Sequence, residues 1–467
     1  MEHETIAAIA TPMGTGGIGI IKISGRNAFS IATALFRTKN RTFQSSTINS
    51  GNISFQRIFY GFIHDPNTNR HIDEVLLSLM PGPKSYTRED IAEINTHGGF
   101  AVVTAVLDLV LQHGARMAEP GEFTKRAFIN GRIDLTQAEA VMDVINAKSK
   151  KALELSALQM NGQLKDEIMS ILNYIHDVNA EIEAGIDFPE EVVLQRSCED
   201  LVDHLKQKCI DHLEALLETY QRTNIFKTGI KAVIVGKPNV GKSSLMNCLV
   251  KRDRVIVSPF PGTTRDFVEE HIMIDDIPVI FADTAGLHSS TDPIELTGID
   301  KTYDYLESAD IILFVVDISR PLDSDDYEIH GKVKDRKTLL VLNKSDLPPY
   351  PKDPDGLFSD ITRRKFACAL QCVGIKEIET SIKEMAFGNN GFPENDETFS
   401  PNLRHKNLIE KSLCHLMDAC EGLIQARPLE VICIDLKDAV KSLEEIIGIK
   451  IEGTVLDRIF DRFCIGK

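Results

Sequence analysis

The chain has 467 residues, of which 43% are hydrophobic and 26% charged, a composition that excludes fibrous and disordered classes and predicts about three domains. Its formal net charge of −17 argues against a surface that binds nucleic acid over its whole extent, so any RNA contact is expected to be local or shared with a partner. No apolar run approaches the roughly 18 residues that span a bilayer, and the acidic segment 1–4 differs from a basic leader peptide. We therefore expect a cytoplasmic protein without membrane association.

The nine cysteines form an odd set without a Cys-x-x-Cys pair, which favours reduced thiols over a disulfide framework or a zinc site. Cys368 and Cys372 stand close together, and we expect them to have a structural role rather than to bind a metal. Cys464 lies near the end of the chain, as in a prenylation motif, but the final Lys467 is outside the usual set, so lipidation is not expected.

Residues 1–118 combine short β-rich runs, among them 18–23 and 74–80, with one apolar helix-like stretch over 99–112. This pattern predicts an α+β domain. Residues 14–19 match the dinucleotide-binding fingerprint G-x-G-x-x-G, but a β-branched run follows where that fingerprint requires a helix. We therefore predict a turn at this point and no binding of NAD or FAD.

From about residue 119 the pattern becomes helical. Apolar residues spaced three and four apart over 164–186 predict one long amphipathic helix, and 201–217 predicts another. Between 229 and 387, short apolar strands alternate with helix-length segments, as in a buried parallel sheet. Residues 389–402, which contain prolines and acidic side chains, are typical of a linker, and helical periodicity then resumes.

The predicted fold is therefore multidomain. It comprises an α+β amino-terminal domain over 1–118, an α-helical domain in two halves over 119–228 and 388–467, and an α/β nucleotide-binding domain over 229–387 inserted between those halves.

The segment 236–244, Gly-Lys-Pro-Asn-Val-Gly-Lys-Ser-Ser, follows an apolar strand and leads into a helix, which is the context of a P-loop. Free backbone N–H groups and the helix N-terminus face anionic phosphates in such a loop. We expect Lys242 to neutralise the β and γ oxygens and the Ser243 hydroxyl to bind Mg²⁺. A lone motif match arises by chance, but the strand-then-helix context favours a phosphate site.

Two further motifs follow at strand ends. Asp-Thr-Ala-Gly at 283–286 can hold Mg²⁺ through water and sense the γ-phosphate, although alone it would be an ordinary turn. In Asn-Lys-Ser-Asp at 343–346, the Asp346 carboxylate can accept hydrogen bonds from guanine N1–H and the exocyclic amine, which adenine does not offer. Cys368 and Ala369 occupy the usual place of the last base-binding element, where only their backbone is a plausible contact. Three elements in this order predict a GTP-binding domain.

Leu287 follows Asp-Thr-Ala-Gly where Ras-type GTPases have the glutamine that orients the attacking water. Another group must therefore position the water, and the sequence offers no obvious arginine finger. Asn239 and carbonyls of the Gly-Thr-Thr segment could bind a monovalent cation that supplies the missing charge, and Thr264 can reach Mg²⁺. Asn239 could instead cap its own turn, and Glu295, on the sequence alone, is more simply a solvated acid.

The GTP contacts predicted from these motifs and from the Gly-Thr-Thr segment are Asn239, Val240, Gly241, Lys242, Ser243, Ser244, Pro261, Gly262, Thr263, Thr264, Asp283, Thr284, Ala285, Gly286, Asn343, Lys344, Ser345, Asp346, Cys368 and Ala369.

Several segments occur together in this chain. They are the P-loop, Pro-Gly-Thr-Thr-Arg-Asp at 261–266, Phe-Cys-Ile-Gly-Lys at 463–467, His-Gly-Gly at 97–99, Pro-Gly-Glu-Phe-Thr at 120–124 and Asp-Leu-Thr-Gln-Ala-Glu-Ala at 134–140. In this combination the chain resembles the MnmE family of tRNA modification GTPases, also called TrmE, over nearly its whole length. The resemblance implies a tetrahydrofolate-binding and dimerisation domain over 1–118, a helical domain and an inserted G domain.

The resemblance also implies partners and chemistry. Family members form homodimers and, with the flavoprotein MnmG, a heterotetramer that adds an aminomethyl or carboxymethylaminomethyl group to carbon 5 of the wobble uridine of certain tRNAs. A tetrahydrofolate derivative, 5-formyl or 5,10-methylene, supplies the one-carbon unit. GTP hydrolysis is activated by K⁺ and by dimerisation of the G domains.

Site residues follow from the resemblance by position. It implies K⁺ ligands at Asn239, Ser258, Phe260 and Thr263, and Mg²⁺ ligands at Ser243 and Thr264. It also adds Ser258, Pro259 and Phe260 to the GTP contacts. It makes Glu295 the residue that orients the hydrolytic water, in place of the solvated acid considered above.

Folate contacts are implied at Lys22, Glu93, Arg132 and Lys467. Lys22 stands where the family often has arginine, and Arg132 stands where lysine is frequent. The positive charge is retained at both positions, but the bidentate hydrogen bonding of arginine is not equivalent to the contact that lysine makes. Cys464, near Lys467, is a candidate for proton transfer or covalent catalysis, with an inert thiol as the alternative.

A second hypothesis is an RNA-associated GTPase of the ribosome-assembly type without folate chemistry. Such factors also lack the glutamine at the position of Leu287. They have no reason to end in Cys-Ile-Gly-Lys or to bind a folate, so these two features favour the first hypothesis.

Overall fold

The structure, a computed structural model, describes residues 4–38, 41–42, 58–187, 196–252, 269–282, 306–350, 356–388 and 399–467. The chain forms two compact units. Unit 1 comprises Met1–Met142, Gln159–Ile210 and Leu408–Lys467, and unit 2 comprises Asp143–Leu158 and Asp211–Asn407. The chain therefore returns to unit 1 after completing unit 2. The predicted domain limits at 118, 228 and 387 divide the chain more finely than these two units, and they stay predictions. Most of the linker predicted over 389–402 lies outside the described residues.

Unit 1 contains a mixed sheet built mainly from antiparallel strands. The strands are β1 (Ile6–Ile9), β2 (Gly16–Ser24), β3 (Phe36–Thr38), β4 (Arg41–Thr42), β5 (Ile58–Asp65), β6 (Arg70–Met80), β7 (Ile91–Gly98) and β8 (Arg116–Met117), in the order β4-β3-β5-β6-β7-β2-β1-β8. Buried and exposed residues alternate along β6, because successive side chains of a strand point to opposite faces. One face packs on helices α1 (Ala28–Leu35) and α2 (Phe100–Gln112). The predicted strands at 18–23 and 74–80 and the helix at 99–112 are confirmed.

The turn predicted over 14–19 is shorter than expected, because β2 already begins at Gly16. The pairing of β2 with β7 changes register between Gly16 and Gly19, so the ladder is irregular at these glycines. A strand therefore follows the glycines where a dinucleotide-binding fingerprint would place a helix.

The other helices with residues in unit 1 follow β8. They are α3 (Glu122–Ile129), α4 (Leu135–Asn146), α5 (Lys150–Met160), α6 (Gln163–Asp187), α7 (Cys198–Leu205), α12 (Leu403–Ile424), α13 (Leu429–Ile447) and α14 (Gly453–Phe460). Helix α6 buries the apolar stripe that its spacing predicted, including Leu164, Ile168 and Ile175. The helix predicted over 201–217 is interrupted by a π-helical turn, Lys206–Ile210. Its buried residues Leu201, Leu205 and Cys209 repeat every fourth position, and a turn wider than the α-helical one keeps them on one face.

Unit 2 has a six-stranded sheet that is parallel except at one edge. Its strands are β9 (Ile230–Val235), β10 (Glu269–Ile274), β11 (Ile277–Ala282), β12 (Ile311–Asp317), β13 (Thr338–Asn343) and β14 (Arg364–Ala367), in the order β10-β11-β9-β12-β13-β14. Of these described strands, only β10 pairs antiparallel, with β11. The connecting helices include α8 (Asp211–Thr228), α9 (Lys242–Arg252), α10 (Ser324–Val333) and α11 (Ile375–Phe387).

The sheet of unit 2 is buried on both faces. Leu313 packs in a core with Ile234 and Val341, whereas its neighbour Phe314 packs in a separate core with Leu340. Helices cover both faces of the sheet, so successive residues of a strand pack in different cores. This also explains why the strands consist of continuous apolar residues. The α/β class expected for 229–387 is confirmed, together with the α+β and helical character of the other segments. Among the described residues, no helix is long and apolar enough to cross a bilayer.

One expectation about the cysteines is wrong. Cys248, in α9, forms a disulfide with Cys372, and the two Cα atoms lie 5.6 Å apart. The two residues are separated by 124 positions in the sequence, so no spacing pattern could reveal that the fold brings them together. The other seven cysteines are free thiols, including Cys368 and the exposed Cys464.

Candidate functional site

The P-loop connects the buried end of β9 to the first turn of α9. Gly236, Asn239 and Gly241 all have positive φ, at 152°, 66° and 103°. A Cβ atom at Gly236 would collide with the carbonyl of Val315, and one at Gly241 with the side chain of Asn343. Glycine is therefore required at both positions, for its backbone freedom and for the close approach of neighbouring strand ends.

Lys242 is folded back over this loop. Its Nζ donates hydrogen bonds to the carbonyl oxygens of Gly236, at 2.7 Å, and Lys237, at 2.8 Å. Burial lowers the pKa of Lys242 from its ordinary value. The ammonium is thus held where P-loop lysines meet nucleotide phosphates, and a bound anion would offset its loss of hydration.

Asn343 connects three parts of the site. Its Nδ2 donates to the carbonyl of Val240 at 2.7 Å, and its Oδ1 accepts from the amide of Ala369 at 2.9 Å. Asn343 is 2% exposed, so both contacts are shielded from water. The side chain therefore joins the P-loop and the loop after β14 to the end of β13.

A cavity of about 730 Å³ opens along these elements. It brings together ten of the predicted contacts: Asn239, Gly241, Lys242, Ser243, Ser244, Asn343, Lys344, Asp346, Cys368 and Ala369. Residues that the sequence reasoning missed also line it, among them Met246, Asn247, Glu270 and Leu370. Phosphate-binding and base-binding motifs thus share one cavity, of a size suited to a small-molecule ligand.

Two ion-pair networks beside the cavity were also missed. Lys237, 9% exposed, lies 2.6 Å from carboxylate oxygens of both Asp323 and Asp326 at the start of α10. Lys344 lies 2.5 Å from Asp317, the last residue of β12. The motifs identified the two lysines, but the carboxylates lie in a segment without a recognisable pattern.

A second cluster lies in unit 1 and contains all four predicted folate contacts. Lys22 Nζ lies 3.8 Å from Glu93, its register partner across β2 and β7. The ring of Tyr86 lies 5.4 Å from Lys22 Nζ and 4.6 Å from the Arg132 guanidinium, both cation–π distances. Burial lowers the pKa of Lys22, Glu93 opposes this shift, and the charge of Lys467 lowers the pKa further. Tyr86 is the central residue that the motifs did not reveal.

The carboxyl terminus is attached to unit 1 by its backbone. Gly121 N–H donates to the carbonyl of Cys464 at 3.4 Å, and a Cβ atom at Gly466 would collide with the backbone of Ile9. The Cys464 side chain is exposed. The predicted catalytic role of this thiol stays a prediction.

Comparison with known proteins decides the family. Residues 5–132 match the family described as GTP-binding protein TrmE N-terminus, and residues 135–464 match the MnmE helical domain. The tRNA modification GTPase MnmE of Alkaliphilus oremlandii is 41% identical, over 99% of this chain and 99% of its own length. Those of Carboxydothermus hydrogenoformans and Streptococcus agalactiae are 41% and 40% identical, over 100% of this chain and 100% and 99% of their own lengths.

The chain belongs to the MnmE family of tRNA modification GTPases. Of the solved structures, Era in complex with MgGDPNP and a segment of 16S ribosomal RNA is 28% identical to this MnmE-family chain. That match covers 40% of this chain and 66% of the other, with a TM-score of 0.27. At so low a score, the nucleotide-binding fold rests on the sheet order and P-loop geometry described above.

Some residues predicted for this MnmE-family chain lie outside the described residues. They are Ser258, Pro259, Phe260, Pro261, Gly262, Thr263, Thr264, Asp283, Thr284, Ala285, Gly286, Leu287 and Glu295. Their roles in cation binding and water activation stay predictions.

Proposed function

We propose that the chain binds GTP in the cavity of unit 2 and hydrolyses it to drive modification of a tRNA wobble uridine. The observation that carries this proposal is one cavity lined by Lys242, Ser243 and Asp346. These residues supply a cation for the phosphates, a hydroxyl for Mg²⁺ and a carboxylate for guanine. Family membership supports the same activity.

The base is selected by hydrogen bonding. Asp346 is exposed and lines the cavity, where its carboxylate would accept hydrogen bonds from guanine N1–H and the exocyclic amine. Adenine would leave that carboxylate facing a ring nitrogen with no proton to donate. The carboxylate would then lack a hydrogen-bond partner, and sites of this kind discriminate strongly against such a ligand. Cys368 and Ala369 line the same cavity, and their backbone would complete the contacts with the base.

Hydrolysis uses cations in place of an arginine finger. Ser243 and Thr264 would hold Mg²⁺, which neutralises charge on the β and γ oxygens when bound. Asn239, with Ser258, Phe260 and Thr263, would hold K⁺, which supplies positive charge for the transition state when bound. Asn239 lines the cavity together with Lys242 and Ser243 of the same loop, which supports this assignment. Glu295 orients the attacking water, a role that leucine at position 287 cannot fill.

The cluster around Tyr86 would bind a tetrahydrofolate derivative. Lys22, Arg132 and Lys467 concentrate positive charge that suits the carboxylates of a folate tail, and Glu93 offers an acceptor for an amino-substituted pterin. A 5-formyl or 5,10-methylene group on such a folate supplies the one-carbon unit. Cys464 is a candidate for proton transfer or covalent chemistry in this step.

The partners proposed are a second copy of the chain, the flavoprotein MnmG and tRNA, in the cytoplasm. The net charge of −17 disfavours tRNA binding by an extended surface of this chain alone, because the phosphate backbone dominates such affinity. A complex with MnmG would provide the shared contact. The product is an aminomethyl or carboxymethylaminomethyl group on carbon 5 of the wobble uridine.

The decisive experiment measures GTP and ATP hydrolysis by the purified chain in KCl and in NaCl. We expect GTP to be hydrolysed much faster in KCl and ATP not to be used. Asp346→Asn should weaken GTP binding and shift preference toward xanthosine nucleotides. Equal use of both purines would refute the guanine pocket, and equal GTP rates in the two salts would refute the K⁺ role.

The proposed folate binding is tested by calorimetric titration of the chain with 5-formyl-tetrahydrofolate. Binding that is lost in Lys22→Ala supports the modification function. Absence of binding to the wild-type chain, with GTP hydrolysis intact, would support an assembly-type GTPase instead.

A further inference from the structure

The buried carboxylate of Asp317 lies directly behind the base-binding motif. Asp317 is the last residue of β12, and it pairs in register with Asn343, the last residue of β13. The amide of Ile318 also donates to the carbonyl of Asn343 at 3.2 Å. These parallel strand ends bring Asp317 next to Lys344, although neither the P-loop nor the Asn-Lys-Ser-Asp motif includes it.

The two oxygens of this carboxylate have different partners. Oδ1 accepts hydrogen bonds from the backbone amide and the hydroxyl of Ser319, at 3.0 and 2.6 Å. Oδ2 lies 2.5 Å from Lys344 Nζ and 3.0 Å from Arg320 Nε. Burial would raise the pKa of Asp317, but Lys344 and Ser319 outweigh it, so the pKa lies below its usual range. The carboxylate is therefore ionised at neutral pH and holds the ammonium of Lys344.

Lys344 needs such a partner. Its backbone has a positive φ of 65°, its side chain is 33% exposed, and it lines the cavity beside Asp346. A free lysine side chain has many rotamers, and fixing it on ligand binding costs conformational entropy. A partner that fixes the rotamer beforehand removes that cost from the binding step.

We propose that Asp317 is a positioning residue for guanine nucleotides. It acts through Lys344, whose ammonium it holds at the wall of the cavity, and does not itself contact the ligand. The inference rests on the proposed function, because it assigns the base end of the cavity to guanine.

The test is Asp317→Asn in the full chain, with affinity for fluorescent GDP and GTP analogues as the readout. Asparagine keeps an oxygen for Ser319 but presents no charge to Lys344, so the turn is retained and the ion pair is lost. We expect affinity for both nucleotides to fall roughly tenfold, because the Lys344 side chain must then be fixed when the ligand binds. The control is Asp335→Asn at an exposed aspartate of the same unit, which should bind like the wild-type chain.

A double-mutant cycle separates positioning from a general structural role. In a Lys344→Met background, Asp317→Asn should have little further effect on affinity, because the group it acts through is absent. An equal loss in both backgrounds, or wild-type affinity in Asp317→Asn, would overturn the inference. If Asp317→Asn does not fold, Asp317→Ser, which also removes the charge, replaces it in the same cycle under the same criteria. A wild-type chain that binds no guanine nucleotide would overturn the proposed function and this inference together, whereas the first two outcomes overturn the inference alone.

Discussion

The side-chain amide of Asn343 donates a 2.7 Å hydrogen bond to the carbonyl oxygen of Val240, and thereby joins the base-binding motif to the P-loop. The same side chain accepts from the amide of Ala369 in the loop after β14. Three segments far apart in sequence thus depend on one buried residue. The stability and the nucleotide affinity of unit 2 should therefore change together when it is altered.

Replacing Asn343 with alanine should destabilise unit 2 by about 1–3 kcal/mol, because it leaves a buried carbonyl and a buried amide without their partner. Guanine nucleotide affinity should fall in the same variant. Thermal denaturation and fluorescent GDP titration measure the two effects. Asn224→Ala, in α8 of the same unit, is the control. A variant of Asn343 that binds nucleotide normally would show that the three segments are held by other contacts.

The pairing of Lys237 with Asp326 should be a major support of the P-loop. Asp326 is 3% exposed at its side chain, and its loss leaves Lys237 paired with Asp323 alone, so the cost should stay below the roughly 3–5 kcal/mol of a buried charge left without any partner. We expect Asp326→Ala to lower the Tm and slow GTP turnover. The exposed Asp325, one position earlier in the same helical turn, is the matched control, and Asp325→Ala should leave both unchanged. Equal Tm values for the two variants would contradict the role assigned to the pair.

Reduction of the disulfide between Cys248 and Cys372 should loosen the loop that carries Cys368 and Ala369. Cross-links of this kind typically contribute about 2–4 kcal/mol. Addition of a reductant should therefore lower the Tm of unit 2 and weaken guanine nucleotide binding. The double variant Cys248→Ser, Cys372→Ser should have a lower Tm without reductant, and that Tm should not change when reductant is added. Cys414→Ser, at an exposed free thiol, should respond like the wild-type chain, and a reductant effect that persists in the double variant would exclude the disulfide as its source.

Glu122 should make the stability of unit 1 sensitive to acid. Burial alone would raise its pKa, but Arg116, the amide of Glu119 and Arg126 together lower it from 4.5 to about 2. A carboxylate whose pKa is lowered by folding stabilises the folded state above its unfolded pKa, and that contribution disappears as the pH falls through the folded value. The stabilisation should thus be complete above about pH 5 and lost between roughly pH 4.5 and pH 2.

The measurement compares the Tm of the wild-type chain and Glu122→Gln across this range. The difference in Tm between the two chains should be greatest at pH 6 and should shrink as the pH falls. Glu119→Gln, at an exposed neighbour, should show no such dependence. A difference that stays constant down to pH 2 would mean that the charge of Glu122 is not what stabilises the fold.

Tyr86 should contribute to folate affinity through its ring. Lys22 and Arg132 both lie at cation–π distance from it, and each such contact contributes about 0.5–2 kcal/mol. Tyr86→Leu is therefore expected to weaken 5-formyl-tetrahydrofolate binding roughly tenfold by calorimetry, since the two cations lose their common support. Tyr86→Phe keeps the ring and should bind nearly as well. Similar affinities for the leucine and phenylalanine variants would assign no role to the aromatic face.

Much of this organisation could be predicted from the chain itself. Apolar runs such as 311–316 indicated buried parallel strands, and the glycines at 236 and 241 indicated a phosphate-binding loop, because both patterns follow from local backbone and burial requirements. The stripe of α6 was predicted because helical periodicity is also local. Each of these features is specified within a short stretch of sequence.

Other features depended on contacts between distant segments. The carboxylates of Asp317 and Asp326, the ring of Tyr86 and the Cys248–Cys372 disulfide have no spacing signature. The π-helical turn after α7 likewise depends on packing, because it keeps buried residues that are spaced four apart on one face against the core.

The sequence by itself determined the family, the order of the nucleotide-binding motifs and the types of secondary structure, since these depend on residue identity and short-range periodicity. Only the tertiary structure decided which carboxylate holds which lysine and which cysteines meet. Ion pairs and disulfides require side chains within a few ångströms of each other, and that proximity arises only when strands and helices distant in sequence pack together.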